Sequence, residues 1–178
     1  MKQGDILLIN YKLDPIGYLI KWITHSHYNH IAWTLNEFVL IEAPGKGIKT
    51  VLLSKYLYSF LYNIKLIRFK DLSKYQIKNI SKRLVEQQCK YSYWKFLLSY
   101  FLVFLGLKPL AKNCSNFIYY ELKKEGCSLG KKNKKFINPE DFNSYKNSID
   151  VTDQMPTGTK HNIIKEFYGK ICGSYTSL

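Results

Sequence analysis

Residues 28–43 read YNHIAWTLNEFVLIEA, which is two apolar runs separated by a short polar interruption. The runs are rich in β-branched and aromatic residues, which favour strands, and Asn36-Glu37 between them suits a turn. The pattern therefore predicts a β-hairpin with strands over residues 30–35 and 38–43.

The register of this hairpin decides which side chains share a face of the sheet. A loop over residues 35–37 places His30 opposite Glu42 on one face. The same register pairs Ala32 with Leu40 and Thr34 with Phe38. The other face then forms a single apolar layer, made of Ile31, Trp33, Val39 and Ile41. A one-residue slip would scatter that layer and separate the imidazole from the carboxylate, so the hydrophobic pattern favours a register that joins His30 and Glu42.

Cys114 stands at the start of a predicted helix over residues 114–124, which Gly126 ends. A thiol at a helix start meets the positive end of the helix dipole and unpaired backbone N–H groups, both of which favour the thiolate. The same N–H groups can donate to the oxyanion of a tetrahedral intermediate. The alternative is a small buried side chain, which most cysteines are. The helix start and the polar neighbours favour a nucleophile.

His30 and Glu42 supply the two partners that such a nucleophile needs. A carboxylate that accepts from one imidazole nitrogen fixes the tautomer and leaves the other nitrogen free to act as a base. Taken singly, His30 could equally be a hydrogen-bonded core histidine and Glu42 a solvent-facing strand residue. Together with Cys114 they predict a nucleophile, a base and an orienting group.

The other histidines and cysteines give little support to a metal site. His25, His27 and His30 lie close together, which invites a zinc interpretation, but no carboxylate or thiol stands at ligand spacing in that segment. The cysteines are irregularly spaced and include no CxxC pair; they are Cys89, Cys114, Cys127 and Cys172. We expect neither a metal cluster, nor a disulfide framework, nor a cofactor.

Further elements can be predicted on both sides of the hairpin. Gly4-Asp5 ahead of an apolar run predicts a strand opened by a turn, and Pro15 suits the first turn of a helix. Ser73 is a candidate cap for a longer helix. The predicted strands are 6–9 and 64–69, and the predicted helices are 15–24, 73–89, 114–124 and a short one at 161–168. Residues 44–47 predict a turn.

The order of these motifs resembles the circularly permuted NlpC/P60 superfamily, in particular its YiiX/YebB-like branch. The resemblance spans roughly residues 3–145 and rests on order and spacing. Its principal motifs are the Gly4-Asp5 strand, Tyr28-Asn29-His30-Ile31-Ala32, Ile41-Glu42-Ala43 and Asn113-Cys114-Ser115-Asn116-Phe117. Supporting matches are Gly47-Ile48, the stretch from Tyr91 to Trp94, and Phe136-Ile137-Asn138-Pro139-Glu140-Asp141-Phe142.

This resemblance implies an α+β, papain-like fold with a small antiparallel sheet or half-barrel packed against helices. It implies that Cys114, at a helix N-terminus, is the nucleophile, His30 the general base and Glu42 the orienting group. We expect the domain to cover residues 1–150, with 151–178 as a C-terminal extension that is not an independent domain. The Asn-Cys-x-x-Phe motif is also similar to the lecithin:retinol acyltransferase-like branch, which transfers fatty acyl groups. That branch usually orients its base with a second histidine, so Glu42 favours the first branch.

The formal net charge of +14 favours anionic partners in general. Arg68 and Arg83 are the only arginines, and no nucleic-acid motif is present, so we expect no specific nucleic-acid partner. The lysines form either a solvated basic face or an anion-binding surface.

The apolar run at 96–107 is shorter than a bilayer span and is either a core helix or an acyl-chain site near an anionic membrane. No signal-peptide core follows Met1, so a cytoplasmic location is expected, with peripheral membrane association as the alternative.

Three functions fit these observations. The first is a cysteine-dependent hydrolase of an amide or ester bond that acts through an acyl-enzyme on a peptide, amide or acyl-ester substrate. The second is a lipid-directed thiol acyltransferase or esterase at a membrane surface. The third is a non-catalytic module that binds a peptide or amino acid on the same fold. The sequence defines neither the substrate nor the oligomeric state.

Overall fold

The computed structural model describes residues 1–43, 47–87, 102, 105, 114–130 and 137–156. This part of the chain is α+β, with one six-stranded antiparallel sheet and several helices. The strands are β1 (Ile6–Tyr11), β2 (His30–Thr34), β3 (Val39–Glu42), β4 (Lys49–Leu52), β5 (Tyr62–Phe69) and β6 (Ser148–Asp150). The helices are α1 (Pro15–Thr24), α2 (Ser54–Leu57), α3 (Lys74–Glu86), α4 (Cys114–Lys124) and α5 (Pro139–Asn143), and a 3₁₀ turn covers Thr152–Gln154.

The strands lie in the order β4-β3-β2-β1-β5-β6, and every neighbouring pair is antiparallel. Strand β2 therefore lies inside the sheet, between β1 and β3. Its first residue, His30, pairs with Ile9 near the carboxyl end of β1. This position puts the imidazole at one end of the sheet.

Both faces of the sheet are buried, in two separate apolar clusters. The larger cluster joins the sheet to α3, α4 and α5, and its sheet residues include Ile6, Leu8, Ile31, Trp33, Ile41, Ile67 and Phe69. The smaller cluster lies on the opposite face and contains Leu7, Ile9, Ala32, Leu40, Leu53, Tyr56, Leu66 and Val151. The predicted apolar layer is confirmed for Ile31, Trp33 and Ile41, which are fully buried, whereas Val39 is only partly buried.

Two polar contacts fix α3 and α4 on the larger cluster. The Trp33 indole N–H donates to the Ser81 hydroxyl at 2.9 Å, which ties α3 to β2. Arg83 Nε lies 2.6 Å from Glu121 Oε2, which ties α3 to α4. The predicted Ser73 cap is confirmed, because its side chain accepts from the Gln76 N–H in a capping box. These contacts position the helix that carries Cys114.

The predicted hairpin is confirmed, but its register is wrong by two residues. The observed pairs are Ala32 with Glu42, Trp33 with Ile41, and Thr34 with Leu40. The cause is Asn36, whose side-chain carbonyl accepts from the N–H groups of Phe38 and Val39, both at 2.9 Å. This turn removes Phe38 from the strand. A shift of two residues keeps every side chain on its face, so His30 and Glu42 still share one.

The proline-containing motif near residue 140 has a structural explanation. Asn138 caps α5 through a capping box with Asp141, and Pro139 occupies the first turn. Ile137 and Phe142 are buried in the larger cluster. The Asn138 amide also donates to the Thr24 carbonyl at 2.9 Å, which joins α5 to the end of α1.

The remaining predicted elements fall into two groups. The strands predicted at 6–9 and 64–69 and the helices predicted at 15–24, 73–89 and 114–124 are confirmed with small changes of boundary. Several predicted features lie outside the described residues. They are the 161–168 helix, residues 44–46 of the predicted turn, most of the 96–107 apolar run, the stretch from Tyr91 to Trp94, and Cys89, Asn113, Phe136 and Cys172.

Packing on the smaller cluster continues beyond residue 150. Val151 is buried, and the Leu66 N–H donates to the Thr152 hydroxyl at 3.0 Å. Among the described residues, no helix has both the length and the apolar character needed to cross a bilayer.

Candidate active site

His30 and Glu42 form a direct contact at the end of the sheet. His30 Nε2 lies 2.9 Å from Glu42 Oε2. In the observed register they are diagonal neighbours on β2 and β3, a separation that long side chains bridge. The imidazole retains 19% of its exposure, whereas the carboxylate is fully buried. Because Glu42 occupies Nε2, the imidazole nitrogen left for proton transfer is Nδ1.

Glu42 is held by two further residues that the sequence analysis did not identify. Lys55 Nζ lies 2.9 Å from Glu42 Oε1, and the Tyr56 hydroxyl donates to Glu42 Oε2. Lys55 also donates to the Tyr56 hydroxyl at 2.9 Å. Both residues belong to the short helix α2, which the pairing of β4 with β3 brings over the carboxylate. Glu42 therefore has a fixed orientation and a compensated charge.

The sequence offers only a weak signal for Lys55 and Tyr56. The predicted turn at 44–47 would return the chain alongside β3, so residues just beyond the next strand must lie near Glu42. Composition cannot select them, because the chain contains 15 tyrosines and most of its 27 basic residues are lysines.

Cys114 is the first described residue of α4 and is buried beside His30. Helix α4 packs against β2, so its start lies next to the start of that strand. The thiol interacts with the His30 side chain and with the backbone N–H of Ile31, and its sulfur lies 4.0 Å from the Ser115 hydroxyl. The fold thus brings Cys114, His30 and Glu42 together.

The electrostatics of the three side chains are linked. Burial by itself raises the pKa of Cys114, but the positive charge and hydrogen bonding of His30 lower it below its ordinary value. Burial by itself lowers the pKa of His30, but Cys114 and Glu42 raise it to about 10. Burial raises the pKa of Glu42, and the hydrogen bond and charge of His30, with Tyr56 and Lys55, bring it well below its ordinary range. The arrangement favours a thiolate–imidazolium pair beside a carboxylate.

The residue before His30 fixes the backbone at this position. The Asn29 amide donates to the Tyr11 carbonyl at 3.1 Å, and its side-chain oxygen accepts from the Tyr11 N–H at 3.0 Å. The Asn29 N–H donates to the Ile9 carbonyl at 3.0 Å. These bonds continue the β1–β2 pairing past the last regular pair and hold the start of β2 in place.

The three neighbouring histidines do not converge on one point. His27 is exposed, and its Nδ1 lies 3.2 Å from Glu140 Oε2, whereas His30 faces Glu42. His25 takes a left-handed backbone conformation with φ of 49°. Among the described residues, no group of three or more His, Cys, Asp or Glu side chains is arranged to hold a metal ion.

The six-stranded sheet and its helices define a YiiX-like α+β fold, which here carries a thiol, an imidazole and a carboxylate at one end of the sheet. A solved structure similar to this chain is that of the metalloprotein YiiX from Escherichia coli O157:H7. The two share 16% sequence identity with a TM-score of 0.61, over 87% of this chain and 98% of the other. The resemblance to the YiiX-like branch is confirmed at the level of the fold. No protein-family model matches the chain, and no curated protein does.

Proposed function

We propose that this protein is a cysteine-dependent hydrolase of an amide or ester bond, with Cys114 as nucleophile, His30 as general acid–base and Glu42 as the group that orients His30. The observation that carries the proposal is the position of the His30 imidazole between the Cys114 thiol and the Glu42 carboxylate. The thiol pKa is lowered and the imidazole pKa raised, which is the requirement for a thiolate nucleophile at neutral pH.

The chemistry would proceed through an acyl-enzyme. Cys114 Sγ attacks the carbonyl carbon, and backbone N–H groups at the start of α4 donate to the oxyanion. The imidazolium of His30 gives its proton to the leaving amine or alcohol, which departs and leaves a thioester on Cys114. His30 then takes a proton from water, the resulting hydroxide attacks the thioester carbonyl, and the acid departs as Sγ is released.

The roles of the remaining polar residues follow from their contacts. Among the described hydrogen bonds, Lys55 and Tyr56 make none to the Cys114 thiol. Both bind the Glu42 carboxylate. They are therefore positioning residues, and their loss should loosen the imidazole more than it alters the thiol. Asn116, two residues after Cys114, accepts from the Ile137 N–H at 3.1 Å and joins α4 to the segment that precedes α5.

The similar YiiX structure is that of a metalloprotein, but the side chains at this site are already engaged with one another. The Lys55 ammonium lies 2.9 Å from Glu42 Oε1, where it competes with any cation for that oxygen. His30 Nε2 is already bonded to Glu42 Oε2. The described residues of this site do not fit a metal ion, and the proposed steps use none.

The direct test is acyl-enzyme formation by the full chain. The protein would be incubated with a panel of activated esters, thioesters and peptide amides, and intact mass spectrometry would detect an acyl adduct. We expect an adduct on Cys114 that accumulates and then decays. Addition of an amine or alcohol acceptor would distinguish hydrolysis from acyl transfer by its product.

Cys127→Ala provides the matched control, because Cys127 is also buried and unpaired. The adduct should persist in that variant and vanish in Cys114→Ala. An adduct that survives in Cys114→Ala would contradict the assignment. Absence of any adduct across the panel, with unaltered binding of peptides by Cys114→Ala, would support the non-catalytic binding module instead.

A further inference from the structure

Helix α1 presents its large apolar side chains to solvent. Tyr18, Leu19 and Trp22 lie on one side of the helix, at the spacing of three and four residues that places side chains together. All three are exposed, and Trp22 retains 65% of its exposure. A surface helix normally turns such a stripe toward the core.

Two further residues of the same helix, Gly17 and Lys21, contact the protein body. Gly17 is buried, and a Cβ at that position would collide with the Asn29 side chain. Lys21 is only half-buried and donates from Nζ to the Asn10 side chain at 2.8 Å. Gly17 therefore lies against the protein body, whereas Tyr18 and Trp22 face outward.

A second exposed segment lies beside the start of α1. Phe60 retains 83% of its exposure and Leu13 retains 65%. The Lys12 N–H donates to the Leu61 carbonyl at 2.8 Å, which places the loop of Phe60 next to Leu13. The two segments form one surface, called here the aromatic surface, composed of Leu13, Tyr18, Leu19, Trp22 and Phe60.

The aromatic surface adjoins the candidate active site. Asn29, which packs against Gly17 in α1, immediately precedes His30. From Tyr11, just before Lys12, ring contacts lead to Tyr62 and then to Tyr56, each with centroids 5.0 Å apart. Tyr56 contacts Glu42. Helix α1 and the segment before it are therefore each linked to the candidate active site by a short series of contacts.

The charge of the chain indicates the kind of partner. Protein–protein interfaces are enriched in arginine and depleted in lysine. Here both arginines are committed to internal ion pairs, Arg68 with Asp5 and Arg83 with Glu121. Lys12 and Lys21 flank the aromatic surface, Asp14 is the one acidic residue of residues 12–24, and the net charge is +14. Exposed Trp, Tyr and Phe with neighbouring lysines are typical of surfaces that bind anionic membranes.

We infer that the aromatic surface docks this protein onto an anionic lipid membrane, with Trp22 and Phe60 inserted at the level of the lipid headgroups. Helix α1 then lies parallel to the bilayer. Docking does not depend on catalysis, so it stands or falls separately from the proposed function.

Vesicle flotation of the full chain tests the inference. Vesicles of phosphatidylcholine alone would be compared with vesicles that also contain phosphatidylglycerol. We expect binding to the anionic vesicles that weakens as salt is added, because exposed charges are screened. The double variant Trp22→Ser/Phe60→Ser should bind about tenfold more weakly, because two aromatic side chains no longer leave water.

Tyr75→Ser is the matched control, because Tyr75 is 73% exposed but lies at the start of α3. It should bind vesicles as the wild type does. Quenching of tryptophan fluorescence by brominated lipids should occur in the wild type and be reduced in Trp22→Phe, which retains binding and still contains Trp33 and Trp94. This second readout does not depend on how well the serine variant folds.

Several results would overturn the inference. The inference fails if the wild-type protein does not bind anionic vesicles at low salt. It also fails if the double serine variant and the wild type bind equally. A dimer in solution that the double serine variant abolishes would assign the surface to a second copy of the chain. Cys114→Ala should bind vesicles normally, so failed docking and failed catalysis can be distinguished.

Discussion

Cys114 and Cys127 are two buried, unpaired cysteines at opposite ends of the same helix. Cys114 is the first described residue of α4, where the backbone dipole is positive. Cys127 lies just beyond its last residue, Lys124, and its N–H donates to the Leu122 carbonyl at 3.0 Å. The two thiols therefore lie at the first described residue of α4 and just beyond its last residue.

Their neighbours reinforce this difference. Cys114 lies beside the His30 imidazole, whose charge lowers the thiol pKa against the effect of burial. Cys127 Sγ lies 3.9 Å from the Tyr145 hydroxyl, which itself donates to Asp71. Burial and the Asp71 charge raise the pKa of Cys127 to about 11, although its hydrogen bond with Tyr145 opposes them.

The comparison shows that burial does not determine the reactivity of a cysteine. Both thiols are removed from water, and burial alone would make both inert. The sign of the nearest charge sets the direction in which each thiol pKa moves: the His30 charge lowers that of Cys114, and the Asp71 charge raises that of Cys127. Single substitutions can remove each thiol and each of the neighbours of Cys114 in turn.

The largest effect is expected from removal of each thiol. Cys114→Ala should reduce turnover of an activated ester by about 10³-fold or more, because an alanine side chain cannot take the acyl group. Cys127→Ala should retain turnover within about twofold, since its substitution touches only packing near Tyr145. Steady-state hydrolysis by both variants measures this, and an equal loss in the two would remove the distinction between the cysteines.

Removal of the imidazole should make Cys114 resemble Cys127. In His30→Ala the buried thiol loses its positive neighbour, so its pKa should rise and its alkylation at neutral pH should slow by about 10–100-fold. Cys127 in the same sample is the internal control, and its alkylation should not change. The measurement is site-resolved mass spectrometry, and an unchanged Cys114 rate would show that His30 does not activate it.

Neutralising the orienting carboxylate should have a smaller effect. Glu42→Gln should lower turnover by about tenfold and the free energy of unfolding by about 1–3 kcal/mol, because Lys55 and Tyr56 lose an ionised partner. Folding lowers the pKa of Glu42, so this stability difference should be complete above its ordinary value of 4.5 and shrink as the pH falls below it.

Glu86→Gln serves as the control for Glu42→Gln. Glu86 is exposed and lies 3.9 Å from Lys82 in a surface pair, which should contribute less than about 0.5 kcal/mol. Thermal unfolding at several pH values measures both variants. Equal destabilisation by the two substitutions would contradict the structural role of Glu42.

The smallest effect is expected at Tyr56. Tyr56→Phe removes one hydrogen bond to Glu42 and should cost about 1 kcal/mol of stability. Turnover should fall by about threefold to fivefold, a change that a purely structural role would not produce once the protein is folded. Tyr75→Phe, at an exposed tyrosine, should change neither quantity. Denaturant unfolding and kcat together test this, and a loss of stability with unchanged kcat would make Tyr56 merely structural.

Much of the fold could be predicted from the sequence because its patterns are local. Short stretches of sequence predict several elements. The apolar runs predict β1 and β5, Ser73 predicts the start of α3, and Gly126 predicts the end of α4. The hairpin register was wrong because the Asn36 side chain forms a turn that an alternating pattern does not encode. The shared face of His30 and Glu42 was correctly predicted, because a shift of two residues preserves it.

Other features could not be predicted because they depend on long-range packing. Lys55 and Tyr56 reach Glu42 only when β4 folds back on β3. The helix at residues 15–24 was predicted from its apolar spacing, but spacing alone does not show that Trp22 would face solvent. That orientation depends on Gly17, because the absence of a Cβ at this position lets the helix approach the Asn29 side chain, which is bonded to Tyr11 of β1.

The most direct test of the account is the pH dependence of alkylation of Cys114 and Cys127, followed in one sample of folded protein by site-resolved mass spectrometry. Cys114 should react with a midpoint below the ordinary thiol value of 9, and Cys127 with a midpoint near 11. The lower midpoint should move upward in His30→Ala while the higher one stays. Two midpoints that coincide near 9, or a Cys127 midpoint below that of Cys114, would contradict the assignment of Cys114 as the activated nucleophile.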